Sequence, residues 1–315
     1  MPSSAVRAFA DPEDYGAAIR ATKAEMTVTG RGHFDAKLIR IDLHRLWMQR
    51  FSDNLPRIAH SASMIGRAII SFRTEPGPDL VWDGFELRPG GIIRHSEGHN
   101  SFQRSFGSAC WGAMSLPMEE MASVGTAVAG RDLTPPRDAL IINPSPSAMA
   151  KLQRLHAAAG LLAEDAPAVI AQPEAARGLE QALIGAMVAC LDFGEVREDR
   201  SALRQHALIL RRFRRESEEN PDQPLYIPEL CKAIGVSDRT LRACCQEQLG
   251  MSPSRYLLLR RMHQARRALR ESTSTTTTVT QIATQYGFWQ FGRFAGEYKS
   301  LFGELPSTTL DHPRA

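Results

Sequence analysis

The sequence lacks an apolar run long enough to cross a membrane, since no stretch of about 18 apolar residues occurs in it. Met1–Tyr15 is polar, acidic and rich in Ala and Pro, which differs from a secretory leader. The five cysteines are odd in number and form no CxxC pair, which argues against a disulfide framework or a zinc module. These absences predict a cytoplasmic protein without a membrane segment.

Charge is distributed unevenly along the chain. Residues 201–315 contain 17 Lys and Arg against 11 Asp and Glu, and 15 of these cations are Arg. Residues 1–200 contain 21 Lys and Arg against 24 Asp and Glu. Guanidinium groups suit phosphate and guanine edges, so the pattern favours a polyanion partner for the C-terminal part, with solvated helix faces as the alternative.

The first half of the chain shows strand patterns. Ile39, Ile41 and Leu43 alternate with polar residues, as in a half-buried strand. Four further strands are predicted at Ala68–Phe72, Leu80–Leu87, Gly91–His95 and Ala109–Leu116. Such closely spaced strands predict a small antiparallel sandwich or barrel in residues 1–147, with residues 1–35 as a loosely held lead-in and Pro135–Pro146 as a connection.

Helical spacing follows in residues 148–193. Two apolar stripes predict a pair of amphipathic helices: Leu152, Leu155, Ala159 and Leu162, then Leu179, Leu183, Met187 and Cys190. The pair either covers the β-domain or forms a dimer surface. Gly194–Arg200 is expected to be a hinge, and residues 201–315 a second domain. It starts with a helix whose arginines are expected to face solvent or phosphate: Arg211, Arg212, Arg214 and Arg215.

One pattern occurs twice in the last hundred residues. The first copy is marked by Leu230, Gly235, Leu241, Gly250 and Pro253, and the second by Ile282, Gly287, Phe294, Gly303 and Pro306. Each copy predicts two short helices that pack across a glycine turn, because glycine adopts the left-handed backbone that other residues avoid. The repeat therefore predicts two helix-turn-helix units.

In the first unit, helices are predicted over Pro228–Ile234 and Asp238–Leu249, with Ser237 as the N-cap. The core face of the second helix comprises Leu241, Cys244, Cys245 and Leu249, so these cysteines are interpreted as packing residues rather than thiol sensors. Asp238, Arg239 and Arg242 then project from the exposed first turns. Arginine there matches guanine O6 and N7, which discriminates bases by roughly 1–3 kcal/mol.

A longer helix starting at Ser252-Pro253 joins the units, and Thr278 with Gln281 forms a capping box for the next helix. The buried stripe of the longer helix that joins the units is expected to be surrounded by Arg260, Arg261, Arg266, Arg267 and Arg270. In the second unit a core is predicted from Phe291, Phe294, Tyr298 and Phe302. Outward positions are predicted for Gln290, Gly292, Arg293, Gly296 and Lys299.

These residues resemble the DNA-binding domain of AraC/XylS-type transcriptional regulators over about Ser201–Leu310. The resemblance is carried by Leu230-Cys231-x3-Gly235-x-Ser237-x3-Leu241, Gly250-x-Ser252-Pro253-x2-Tyr256, Arg261-x3-Ala265, Ile282-Ala283-x3-Gly287-Phe288, Phe294 and Phe302-Gly303-x2-Pro306. It implies two helices in successive major grooves, roughly 34 Å apart. The base-reading residues carried over from it are Arg239, Arg242 and Ala243, then Phe291, Gly292, Arg293 and Gly296. Their positions in the predicted helices add Ser237, Asp238, Gln290 and Lys299 to the expected DNA-binding set.

The second set departs from the family, in which polar side chains are usual. Gly292 and Gly296 suggest that this helix makes mainly phosphate and shape contacts, with Arg293 as the exception. The N-terminal half resembles the cupin-like sensor region of some of these regulators through Trp82-x-Gly84-x2-Leu87-x-Pro89-Gly90-x-Ile92. That resemblance implies an effector-binding or dimerisation domain.

The expected protein is thus of the α+β class and is a sequence-specific DNA-binding regulator, an activator by resemblance. A small-molecule effector or homodimerisation would control it, RNA polymerase would be a partner, and no cofactor or enzymatic activity is expected. One alternative is a metal-dependent cupin-type enzyme with His95, Glu97, His99 and His60 as ligands. Another is an architectural protein that binds DNA without sequence choice.

Overall fold

The computed structural model describes residues 1–192, 195–196, 201–219 and 226–312. The predicted hinge at Gly194–Arg200 lies outside these residues, apart from a two-residue strand. Strands dominate up to residue 143, and helices dominate after it. The predicted α+β class is confirmed.

Thirteen strands are present in the described residues. They are β1 Ser3–Phe9, β2 Thr22–Val28, β3 Ala36–Asp42, β4 Trp47–Asp53, β5 Arg57–Ser63, β6 Arg67–Arg73, β7 Leu80–Trp82, β8 Phe85–Glu86, β9 Ile92–Arg94, β10 Asn100–Ser105, β11 Ala109–Pro117, β12 Leu140–Asn143 and β13 Glu195–Val196. One sheet has eight strands in the order β1-β3-β4-β11-β6-β9-β12-β13, and the other has five in the order β2-β5-β10-β7-β8. The sequence predicted either a sandwich or a cupin-like barrel, and the described strands form two sheets rather than a closed barrel.

The N-terminal lead-in was wrongly predicted as loosely held. β1 pairs with β3 over seven residues, from Ser3 opposite Asp42 to Phe9 opposite Ala36. A helix, α1 Pro12–Ala18, follows it, and β2 pairs with β5. As an edge strand, β1 exposes most of its side chains, so it shows little of the apolar alternation that reveals a half-buried strand.

Two other local predictions differ from the structure. β12 lies inside the stretch expected to be a connection, and its pairing with β9 is what makes it a strand. The stretch predicted as one strand over Leu80–Leu87 is a hairpin of β7 and β8. Asp83 (φ 46°) and Gly84 (φ 82°) form its two-residue turn, in which Asp-Gly accepts the positive φ that such hairpins need.

Helices cover the larger sheet. α2 Met118–Val124 continues into a π-helical turn at Gly125–Ala129, and α3 Pro146–Asp165, α4 Pro167–Ile170 and α5 Pro173–Asp192 follow. The predicted helical pair corresponds to α3 and α5, and its apolar residues belong to one core cluster with the larger sheet. None of the helices in the described residues is long and apolar enough to span a membrane.

The C-terminal part consists of α6 Ser201–Glu219, α7 Ile227–Ile234, α8 Asp238–Leu249, α9 Pro253–Glu271, α10 Val279–Gln285, α11 Phe291–Phe302 and α12 Pro306–Asp311. Helices α6 to α8 pack around one apolar cluster, and α9 to α12 around another. Ile58 of β5 and Phe102 of β10 belong to the first of these clusters, so the smaller sheet packs directly against the first helical unit.

Candidate DNA-binding surface

The first helical unit turns at Gly235, whose φ of +73° places it in the left-handed region. The Ser237 Oγ then caps α8 by accepting a hydrogen bond from the Thr240 backbone N–H at 3.1 Å. The predicted bounds of α8 and its N-cap are both found in the structure. The predicted core face of α8 is buried, and the exposed positions include Asp238, Arg239, Arg242 and Ala243.

Arg242 is held by an acid on its own helix. Its Nε donates to Oδ2 of Asp238 at 2.8 Å, one turn earlier, and this hydrogen bond raises the pKa of Arg242. Both side chains are more than half exposed. Exposed pairs of this kind are worth little, so the guanidinium can leave Asp238 for a base or a phosphate at small cost.

The second unit repeats this geometry. Gly287 has a φ of +74°, and Thr278 and Gln281 form the predicted capping box at the start of α10. α11 presents Gln290, Gly292, Arg293, Gly296 and Lys299 to solvent, as predicted from the sequence. Arg293 Nε donates to Glu297 Oε1 at 2.9 Å, so the arginine of the second unit is also held by an acidic residue one turn away.

Phe291 was wrongly predicted to lie in the core of the second unit. It is 42% exposed, and the preceding Trp289 is 74% exposed. The core is built instead from Phe288, Phe294 and Tyr298, with ring centroids 4.7 and 5.6 Å apart, and from Phe302. At the first position of a helix, residue 291 lies on the side away from this core.

α8 and α11 are equivalent in the two units. Each has twelve residues, they start 53 positions apart, and each ends at a left-handed glycine. Asp238 and Phe291 therefore occupy the same position in their helices, and so do Ala243 and Gly296. The first unit presents charged side chains on this face, whereas the second presents aromatic rings, two glycines and Arg293.

Other arginines of the C-terminal part contact the N-terminal part rather than solvent. Arg211 donates to Asp83 Oδ2 at 3.1 Å, and Arg214 pairs with Glu25. The prediction that both face solvent or phosphate was therefore wrong, whereas Arg212 is exposed. The Asp83 carboxylate reaches Arg211 because it sits in the tight turn between β7 and β8, held there by a hydrogen bond from the Phe102 backbone N–H at 2.8 Å.

A second set of ion pairs joins α9 to the start of α1. Arg266 and Arg270 both contact Asp11, and Arg267 Nε lies 3.1 Å from Glu13 Oε1. The buried His263 ring hydrogen-bonds the Val28 carbonyl at 3.2 Å, and burial lowers its pKa to about 4. The arginine-rich pattern of α9 thus serves an interface within the chain. The acidic segment around Asp11 is the feature of the sequence from which this interface could have been predicted.

The N-terminal part also reaches the C-terminal ends of both α8 and α11. The Arg104 guanidinium packs against Gly250, the glycine that ends α8, and Gln248 packs against Gly84. The His33 ring lies 3.0 Å from where a Cβ on Gly303, at the end of α11, would be. The N-terminal part therefore bridges the two helix-turn-helix units at the ends opposite their exposed first turns.

The four residues that the alternative of a metal-dependent enzyme requires as ligands do not form one metal site. His95 Nε2 hydrogen-bonds Ser71 Oγ at 2.8 Å, His99 bonds Asp83 at 2.9 Å, and Glu97 accepts from the Gly66 backbone N–H. His60 packs edge-on against Phe102. Burial lowers the pKa of His95 to about 4. Within the part of the chain that the structure describes, no three His, Cys, Asp or Glu side chains are placed to hold a metal.

The cysteines of the first unit are core residues, as predicted. Cys231, Cys244 and Cys245 are buried free thiols. Burial raises the pKa of Cys244 to about 11 and that of Cys245 to about 12. Thiols in this state are poor nucleophiles, which agrees with a packing role.

The two units together define a double helix-turn-helix domain, a class of fold in which one helix of each unit can enter a DNA major groove. Residues 230–312 match the family described as "Helix-turn-helix domain". Over 93 residues the chain is 42% identical to the "Probable thc operon regulatory protein" of Rhodococcus erythropolis and 36% identical to the "XylDLEGF operon transcriptional activator 2" of Pseudomonas putida. The chain therefore carries the DNA-binding domain of the AraC/XylS-type transcriptional regulators.

The similarity is confined to part of each protein. It covers 30% of this chain, and 28% and 59% of the lengths of those two relatives. The solved structure of a "probable AraC family transcriptional regulator from Rhodopseudomonas palustris" is 33% identical, and the alignment covers 34% of this chain and 99% of that one with a TM-score of 0.31.

Proposed function

We propose that the protein is a sequence-specific DNA-binding regulator of transcription that places α8 and α11 in successive major grooves. The observation that carries this proposal is the equivalence of the two helices. They have the same length, the same glycine-ended turns and exposed first turns that carry Arg239, Arg242 and Arg293. A fold that only needed a basic surface would not require this repeated geometry.

The first unit has the chemistry for direct base readout. The Arg242 fork can contact guanine O6 and N7, and Asp238 can accept a hydrogen bond from cytosine N4 once Arg242 has moved to the base. Arg239 follows Asp238 directly and is also exposed. In the second unit Arg293, at the position that Thr240 has in α8, would be the base-reading arginine, and Lys299 near the end of α11 would contact a phosphate.

Regulation would act through the contact between the N-terminal part and both units. A ligand or a dimer contact that favours one arrangement of this interface would change the relative placement of α8 and α11, and so their affinity for DNA. A cleft of about 1030 Å³ lies at this interface and is lined by Lys23, Glu25 and His60 on one side and Arg260 and His263 on the other. It is a suitable place for a small-molecule effector, because an occupant would touch both parts.

The proposal also names RNA polymerase and a second copy of the chain as partners. We propose activation through contact with RNA polymerase at promoters, and a cytoplasmic homodimer. Exposed Leu161 of α3 and Val169 of α4 support a dimer surface on the helical pair, since large apolar side chains at the surface often mark protein contacts.

The test is selection of random duplex DNA with the full-length protein, followed by titrations of the selected site at several salt concentrations. The Arg239→Ala/Arg242→Ala double variant should lose base preference in one patch, and Arg293→Ala should lose it in a second patch about one helical turn away. Arg177→Ala on α5 is the matched control, because it also removes an exposed helical arginine. It should leave both patches unchanged.

Two results would contradict the proposal. Uniform affinity across sequences, with variants that change only the salt slope, would point to an architectural protein instead. A consensus that both the Arg239→Ala/Arg242→Ala variant and Arg293→Ala leave unchanged would remove α8 and α11 from the interface.

A further inference from the structure

The first turn of α11 presents a small apolar surface. Trp289 is 74% exposed and Phe291 is 42% exposed, and Arg293 lies two positions after Phe291. The equivalent position in α8 carries Asp238. The two units therefore offer DNA different chemistry at the same place in the fold.

The fold itself gives no reason for this surface. The core of the second unit is complete without either ring. A Cβ added at Gly292 or Gly296 would meet nothing within 4 Å, so neither glycine is needed for internal packing. Each glycine in a helix costs about 1 kcal/mol relative to alanine. A bare helix face next to exposed aromatic rings is consistent with a surface that an external partner approaches closely.

The charges around the surface favour DNA as that partner. Arg293 and Lys299 are exposed on the same helix, and Glu297 on this helix is paired with Arg293. The Arg261 guanidinium stacks over the Phe288 ring in the adjoining turn. Cations around an apolar centre complement a major groove, where phosphates line both edges and the thymine C5 methyl is an apolar group on the base edges.

We propose that Phe291 and Trp289 read thymine through its C5 methyl group in the half-site bound by α11, with Gly292 and Gly296 allowing the helix backbone to approach the bases. This inference rests on the proposed function, because it requires α11 to enter the major groove. It adds apolar readout by Phe291 and Trp289 to the hydrogen bonds of Arg293 in the second unit, whereas the first unit reads donors and acceptors.

The experiment uses the full-length protein and its selected duplex, in which thymines are replaced one at a time by deoxyuridine. The replacement removes only the methyl group. At a thymine read by Phe291 the wild-type protein should bind about fourfold more weakly, the factor expected for one buried methyl group. Phe291→Ala should bind thymine and deoxyuridine equally, and Phe291→Leu should retain a preference for thymine. Trp289→Ala is tested in the same way.

Two controls accompany these variants. Ile65→Ala removes an exposed apolar side chain from the turn between β5 and β6 and should leave the thymine preference intact. Gly296→Ala should raise the unfolding temperature but weaken binding to the second half-site. Gly178→Ala, in an equally open position on α5, should raise the unfolding temperature alone.

The possible outcomes separate this inference from the proposed function. A consensus whose second half-site contains no thymine, or in which deoxyuridine has no effect, overturns the apolar readout and leaves the regulator proposal standing. The same holds if the deoxyuridine effect is as large in Phe291→Ala and Trp289→Ala as in the wild type. The absence of any consensus overturns both.

Discussion

Replacement of Asp11 should uncouple the two halves of the chain. Asp11 Oδ1 caps α1 by accepting from the Glu13 and Asp14 backbone N–H groups at 2.9 and 3.2 Å. Its Oδ2 contacts both Arg266 and Arg270 on α9. Asn caps a helix as well as Asp does, so Asp11→Asn keeps α1 and removes only the charge between the halves.

The expected loss of unfolding free energy depends on the ion pairs that Arg266 and Arg270 retain. Removing one partner of a buried ion pair costs roughly 3–5 kcal/mol. Arg266 retains Glu304 at 3.3 Å and Arg270 retains Asp14 at 3.4 Å, and both arginine side chains are 14–19% exposed. We therefore expect a smaller loss, about 2 kcal/mol for Asp11→Asn. Asp11→Ala also loses the cap and should cost about 1 kcal/mol more.

Two probes can follow the two halves in urea unfolding. Three of the four tryptophans lie in N-terminal strands, whereas much of the helix content lies after residue 200. The wild type should give coincident fluorescence and circular dichroism transitions, and Asp11→Asn should separate them. Asp35→Asn, at an exposed position, is the control. A double-mutant cycle with Arg270→Met should give a coupling energy above 0.5 kcal/mol, the lower end for residues in contact. If Asp11→Asn unfolds like the wild type and the cycle is additive, the interface argument is wrong.

Three further predictions concern titration, turns and thiols. Burial lowers the pKa of His156 to about 3 and that of His263 to about 4, so below pH 6.5 the unfolded chain binds protons that the folded chain does not. The free energy of unfolding should then decrease as the pH is lowered below 6.5, by up to ~1.4 kcal/mol per pH unit for each histidine. If His263→Gln leaves the pH dependence of the unfolding free energy unchanged in acid, this prediction is refuted. Gly235→Ala should cost ~1–2 kcal/mol in thermal unfolding, and Gly250→Ala more, because a guanidinium packs against Gly250; equal costs would contradict that contact. With a pKa of about 12, Cys245 should react slowly with a thiol reagent until the protein is unfolded, and rapid labelling of the native protein would exclude the buried state.

Much of the helix-turn-helix domain could be predicted from the sequence because its determinants are local. The bounds of α8, the Ser237 cap and the Thr278 capping box all depend on residues within a few positions of one another. Glycines at the ends of the helices set the turns in the same local way. The domain boundaries stay predictions. The DNA-reading residues also stay predictions until DNA binding is measured.

The tertiary structure decided what each face of these elements contacts. Composition shows that α6 and α9 are rich in arginine, but only the packed chain assigns Arg214 to Glu25 and Arg266 to Asp11, residues far away in sequence. β1 becomes a strand through its pairing with β3, and Phe291 lies outside the core because Phe294 and Tyr298 already fill it. Local preferences determine where helices and turns form, whereas pairing across long sequence separations is decided by which surfaces meet when the whole chain packs.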